Sequence, residues 1–251
     1  MNNKNTLINK TVQNTPSADR GTIVITGASR GIGKAIAEIF LQNGHEAFLT
    51  AMDKKRLGET LEELQNKFPH ATIKAQAFDV SKKKEAQALG EWCLALCSPD
   101  ILVNNAGSFA GGNVHDEKDG ALEEMIETNL YSAYHLTRTL LPEMMKKKSG
   151  HIFNMSSIAG LKAYPGGGSY SISKYALRGF SVNLREELKK YNIKVTAVYP
   201  GAVYTDSWAG QVEKQRIMEV EDIAKMIYAA SQLSPQACVE DIIIRPQLGD
   251  L

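Results

Sequence analysis

Apolar positions from residue 22 onward follow two alternating patterns. Short runs rich in β-branched and other apolar residues predict buried strands at Thr22–Thr26, Ala47–Ala51, Thr72–Phe78, Ile101–Val103, His151–Met155, Lys194–Val198 and Val239–Arg245. Between them, apolar residues recur at helical spacing. Ile32, Ile36, Ile39 and Phe40 mark a helix over 32–43 that stops at Gly44, and a charged amphipathic helix from Lys54 to Phe68 ends before Pro69. Ser81 is expected to cap a helix running to about Cys97, two helices cover roughly 122–129 and then on to Lys148, and two more cover 169–190 and 221–231. Strand and helix alternate without a linker, repeat or charge block. That order predicts one α/β domain: a doubly wound parallel sheet of about seven strands with helices on both faces. Ligands of such sheets sit at the carboxyl ends of the strands, where strand order reverses.

Residues 1–20 break the pattern. They are rich in Asn, Thr, Ser and Lys and lack the apolar core of a secretory signal, so a disordered polar arm is expected, with the folded domain over 21–251. Lys plus Arg number 29 and Asp plus Glu 28, a net charge of +1, which makes no electrostatic case for nucleic acid or an anionic membrane surface as partner. No apolar run approaches the ~20 residues needed to span a bilayer. The three cysteines, Cys93, Cys97 and Cys238, suit a reducing cytoplasm better than a disulfide framework. Cys93 and Cys97 share a helix face but lack further His or Cys partners, so no metal is expected.

Two constellations carry candidate chemistry. In Thr26-Gly-Ala-Ser-Arg-Gly-Ile-Gly33, three glycines follow the first strand and open the first helix, where a tight turn and a helix N-terminus together suit a pyrophosphate. The second is Tyr170-Ser-Ile-Ser-Lys174, thirteen residues after Ser157. Positions i and i+4 share a helix face, so an ammonium beside the phenol is expected to lower its pKa from the free value of ~10. That combination suits proton transfer to or from an oxygen at a hydride-accepting carbon.

Together with Asn104-Asn-Ala-Gly107 and Pro200-Gly201, these motifs resemble the short-chain dehydrogenase/reductase family, in order and at the expected intervals, from Gly21 to Leu251. The resemblance implies a Rossmann fold. It also implies Tyr170 as general acid/base, Lys174 as its partner and ribose ligand, Ser157 (rather than its neighbour Ser156) on the substrate oxygen, and Asn129 anchoring a proton-relay water. For the cofactor it implies Gly27, Ser29, Arg30, Gly31, Ile32 and Gly33 around the phosphates, and Asp79 and Val80 at the adenine. Asn105, Ala106 and Gly107 would line the cleft, with Pro200, Gly201, Val203 and Thr205 at the nicotinamide.

NAD-using members usually carry an Asp where this chain has Ala51, and NADP-using members often carry an Arg where it has Met52. Arg30, Lys54 and Lys55 supply positive charge for a 2′-phosphate, and Asp53 reads as a helix cap. NADP(H) is therefore the expected cofactor, with NAD(H) the alternative. The expected reaction is NADPH-dependent reduction of a carbonyl. The rivals are an NAD-dependent secondary-alcohol dehydrogenase and a dinucleotide sensor without turnover.

Substrate is expected beneath the stretch from Tyr204 to about Met218, with Trp208 either stacking on it or packing against protein. The tail from Val239, with Pro200–Thr205 and Trp208, resembles bacterial sepiapterin reductases and related carbonyl reductases, which implies a pterin side-chain ketone. The family also implies a homodimer or homotetramer. Met125, Leu130, Tyr134, Leu136 and Leu140 supply apolar surface for it on the 122–148 helix.

Overall fold

The computed structural model describes residues 21–208 and 210–251. The polar arm expected over 1–20 lies outside the described residues. Seven parallel strands form one sheet: β1 (Thr22–Thr26), β2 (Glu46–Thr50), β3 (Ile73–Ala75), β4 (Ile101–Asn104), β5 (Gly150–Met155), β6 (Ile193–Pro200) and β7 (Asp241–Ile244). Their order is β3-β2-β1-β4-β5-β6-β7, so the winding reverses between β1 and β4. This is a single Rossmann-like domain, as the alternation predicts, and the reversal fixes where a ligand cleft opens.

Helices α1 (Gly31–Gln42), α2 (Lys54–Lys67), α3 (Lys83–Leu94), α4 (Ala121–Ile126), α5 (Ser132–Lys147), α6 (Gly168–Leu188) and α7 (Val220–Ser231) cover the sheet. One apolar layer gathers Ile36, Phe40, Leu49, Phe153 and Ile227, and the other Val24, Leu89, Leu102, Leu136 and Val195, on opposite sides of the strands. Strands buried on both faces explain the unbroken apolar runs.

Three boundaries differ from expectation. Beyond Ala75 the chain runs on beside β2 without a regular ladder, Gln76 and Phe78 donating to the carbonyls of Leu49 and Ala51. Lys82, not Ser81, stands at the N-cap position of α3; the Ser81 N–H and hydroxyl both donate to Asp79. The two expected helices over 121–147 are one rod interrupted by a π-helical turn, Glu127–Tyr131. Of the five apolar residues expected to supply subunit surface, Met125, Leu136 and Leu140 point into the domain's own core. The exposed apolar residues in this region are Leu122 and Tyr131.

A buried polar chain ties the two sides of the sheet together behind the strand ends. Asn104 Nδ2 donates to Thr137 Oγ1 at 3.0 Å and Asn154 Oδ1 at 2.8 Å, and Asn154 Nδ2 donates to Ser181 Oγ at 2.9 Å. It links α5, β4, β5 and α6, and its members have no water to replace a lost partner. Asn154→Leu is expected to cost about 1–3 kcal/mol of unfolding free energy by orphaning Asn104 and Ser181. Urea denaturation checks this: a lower midpoint with an unchanged slope is expected, whereas an unchanged midpoint would mean the chain carries no stability.

Candidate active site

At the reversal point the end of β1 bends into a turn that only glycine can form. Gly27 and Gly31 have φ of 64° and 54°, in the left-handed region. A side chain at Gly33 would run into the Gly27 carbonyl and come within 2.6 Å of Asn105 Nδ2, so the first turn of α1 sits directly on the end of β1. Asn105 braces the same turn, its Nδ2 donating to the carbonyls of Thr26 at 2.9 Å and Gly27 at 3.2 Å. Thr26 Oγ1 accepts from the N–H groups of Asn105 and Ala106. The bare backbone at the start of α1, with its unpaired N–H groups, is a fit for a diphosphate.

Around this cradle stand the other expected cofactor residues. Ser29 offers its carbonyl to Thr60 Oγ1 at 2.8 Å, which pins α2 to the turn, and Ile32 packs partly buried on the core. Met52 is 72% exposed at the end of β2, a position without charge. Asp53 caps α2, its Oδ1 accepting from Arg56 N at 3.0 Å. Asp79 has one oxygen committed to Ser81, and Val80 is buried beside it. Pro200 ends β6, Gly201 packs against Pro246, and Thr205 lies over Gly31.

Arg30 does not stand alone. Its Nη1 meets Asp206 Oδ2 at 2.9 Å, and Arg56 Nη1 approaches the same oxygen at 3.5 Å. Arg56 and Asp206 were not singled out from the sequence; only folding brings them to Arg30. Lys55 instead pairs loosely with Glu59 at 3.9 Å.

The second half of the site lies at the end of β5 and on α6. The Ser157 hydroxyl accepts from Ala159 N at 3.2 Å and hydrogen-bonds the Tyr170 phenol. Ser156 is turned away and buried, donating to the Lys174 carbonyl at 3.1 Å. Lys174 is buried, its Nζ donating to Met155 O at 3.0 Å and lying 5.7 Å from the centre of the Tyr170 ring. Asn129 is buried in the π turn, where it accepts from Ser108 N at 2.9 Å and donates to Ser108 O and Ser173 Oγ. A side chain at Gly107 would touch Asn129 Oδ1 and lie 3.4 Å from Lys174 Nζ, so the end of β4, the π turn and α6 converge on one point.

The electrostatics correct one expectation. Burial raises the Tyr170 pKa above its usual value, and the Ser157 hydroxyl only partly opposes this. Burial also pulls Lys174 down to about 8. Desolvation therefore outweighs the acidifying effect expected of Lys174, and the phenol is held in its protonated form. Phe109, 67% exposed, meets the Tyr170 ring edge-on at 4.9 Å, and Tyr164 stands near the same phenol. Val203 pairs with Met218, so the chain from 204 to 217 leaves and returns through one neck. Tyr204 and Trp208 in it are partly buried.

Comparison with known proteins agrees with this geometry. The short chain dehydrogenase family model matches residues 21–216. An oxidoreductase of Staphylococcus saprophyticus is 35% identical, with 91% of this chain and 97% of the relative covered. The NADP-dependent 3-hydroxy acid dehydrogenase of Escherichia coli is 31% identical over 89% of this chain and 94% of its own. Among solved structures, the closed form of serine dehydrogenase complexed with NADP+ superposes with a TM-score of 0.82 at 29% identity, covering 92% of this chain and 96% of that one.

Gly33→Ala is expected to lose dinucleotide binding and lower the melting temperature, because the added carbon meets backbone that cannot move aside. Calorimetry of the variant with and without dinucleotide is the check. A variant that melts and binds like the parent would contradict the close approach.

Proposed function

This chain belongs to the short chain dehydrogenase family and is an oxidoreductase that uses a nicotinamide dinucleotide, and from that premise we propose that it reduces a carbonyl to an alcohol with NADPH. The observation that carries this reading is the buried Tyr170 phenol. It hydrogen-bonds Ser157 and is held above its ordinary pKa, so at neutral pH it is an acid ready to give a proton. Oxidation of an alcohol needs the phenolate instead, which the environment of Tyr170 disfavours in the free protein.

Bound NADPH supplies the hydride; the protein supplies position and protons. Gly27, Ser29, Arg30, Gly31, Ile32 and Gly33 hold the phosphates, with Met52 flanking them. Asp79 and Val80 hold the adenine, and Asn105, Ala106 and Gly107 line the cleft. Pro200, Gly201, Val203 and Thr205 meet the nicotinamide end, and Tyr170 and Lys174 its ribose. Ser157 hydrogen-bonds the substrate oxygen and polarises it. Tyr170 then delivers its proton to that oxygen as negative charge develops there. Lys174, with the Asn129 turn behind it, resupplies the proton. Asp53 is engaged as a cap rather than free to accept from a ribose hydroxyl, which favours NADPH over NADH.

Aromatic walls at Phe109, Tyr164 and Trp208 favour a flat or apolar carbonyl compound, and a pterin side-chain ketone is one such substrate. A homodimer or homotetramer is supported by exposed apolar side chains on α6 (Ile172, Tyr175, Val182) and near the C-terminus (Ile243, Leu248, Leu251). No helix among the described residues is long and apolar enough to cross a membrane. The unpaired Cys93, Cys97 and Cys238 support a cytoplasmic setting.

Tyr170→Phe is expected to lower kcat by roughly 10²–10⁴-fold while the NADPH dissociation constant stays the same. Retained turnover would remove Tyr170 from the proton transfer. The pH dependence follows from Lys174, whose lowered pKa means the ammonium persists below about 8 and is lost above it. Carbonyl reduction should therefore fall as pH rises through that value. Lys174→Arg, which cannot lose its proton, should abolish the decline whatever its absolute rate, and an identical decline in that variant would assign it to another group.

A further inference from the structure

The end of β2, where Met52 stands, carries no cation, yet two arginines converge a few residues away on a single carboxylate oxygen. Arg30 comes from the Gly-rich turn, Arg56 from the first turn of α2, and Asp206 from the loop after β6. The Thr60–Ser29 hydrogen bond fixes the turn against α2, so the two guanidinium groups are held in one place. Asp53 is tied to the Arg56 backbone and contributes no charge to either guanidinium in this arrangement. A carboxylate between two guanidiniums is the chemical stand-in for a phosphate monoester.

We infer that Arg30 and Arg56 together form the subsite for the adenosine 2′-phosphate of NADPH, and that Asp206 is a resident anion which the phosphate displaces. The inference rests on the reading of this chain as an NADPH-binding oxidoreductase and deepens it by naming the second cation and its competitor. The ion pair is exchangeable, because the Arg30 and Asp206 side chains are 56% and 65% exposed. A cavity of about 260 Å³ lined by Gly31, Lys34, Thr205 and Asp206 leaves room for Asp206 to move.

Displacement has a structural consequence. Asp206 begins the excursion that leaves and returns through the Val203–Met218 neck, and the far end is fastened separately, Arg216 donating to the carbonyls of Gly249 and Asp250. Releasing Asp206 therefore frees the near end of the loop, including Trp208, without opening its base. Cofactor identity is in this way read at the loop expected to cover the substrate.

The test measures dissociation constants for NADPH and NADH by nicotinamide fluorescence in the full-length protein, Asp206→Asn and Arg56→Ala. Asp206→Asn should bind NADPH roughly two- to fivefold more tightly and leave NADH unchanged. Arg56→Ala should weaken NADPH by roughly tenfold and again spare NADH. In a Trp92→Phe background, where Trp208 is the one tryptophan left, adenosine 2′,5′-bisphosphate should change the emission and 5′-AMP should not. That change should disappear when Asp206→Asn is added.

If the parent protein prefers NADPH but neither substitution alters the preference, this inference falls and the proposed function stands. If the parent shows no preference but Asp206→Asn creates one, the inference holds and the cofactor reading is corrected. Absence of preference in every variant overturns both.

Discussion

Everything at this site depends on how closely the first turn of α1 approaches the end of β1. With any side chain at position 33 the Gly27 carbonyl and the Asn105 amide would have to move. Because they do not, the N–H groups at the start of α1 lie bare at the point where the sheet reverses direction. Asn105 then couples this turn to the end of β4, and Gly107, two residues on, packs against Asn129 and Lys174. One close contact between backbones thus sets the position of a phosphate cradle and of a proton-handling cluster at once.

That cluster works through burial more than through charge pairing. Desolvation pushes Tyr170 up and Lys174 down, so each neighbour is biased toward its neutral form. A protonated phenol is the acid that carbonyl reduction needs. A positive charge brought beside it would reverse the bias, which is how the same residues can serve the opposite direction. Lys174 stays an ammonium at neutral pH and donates to Met155 O, so it orders the end of β5 as well as facing the phenol ring.

Much of this was legible in the residues themselves. Runs such as Thr22–Thr26 read as strands because burial on both faces removes polar alternation, and Asp53 reads as a cap because its place before Lys54 leaves it little else to do. What escaped was long-range or local in ways that pattern does not record. Arg30 and Asp206 are 176 residues apart and nothing in either neighbourhood signals the other. Asn104, Thr137, Asn154 and Ser181 form a chain only once four elements have packed. The π turn at Asn129 lies inside an ordinary helical pattern, since one extra residue per turn barely disturbs apolar spacing. Ser81 was expected to cap α3 but bonds Asp79 instead, a choice between two equally local partners.

The central claim is hydride transfer from NADPH to a carbonyl carbon, and isotope transfer tests it most directly. NADPH deuterated at the nicotinamide C4 would be incubated with the protein and a panel of diketones, aldehydes and pterin ketones, with products read by mass spectrometry. The account predicts an alcohol carrying one deuterium at the former carbonyl carbon. Dinucleotide binding with no deuterated alcohol from any of these carbonyl classes would contradict it and favour a protein that senses the cofactor without turning it over.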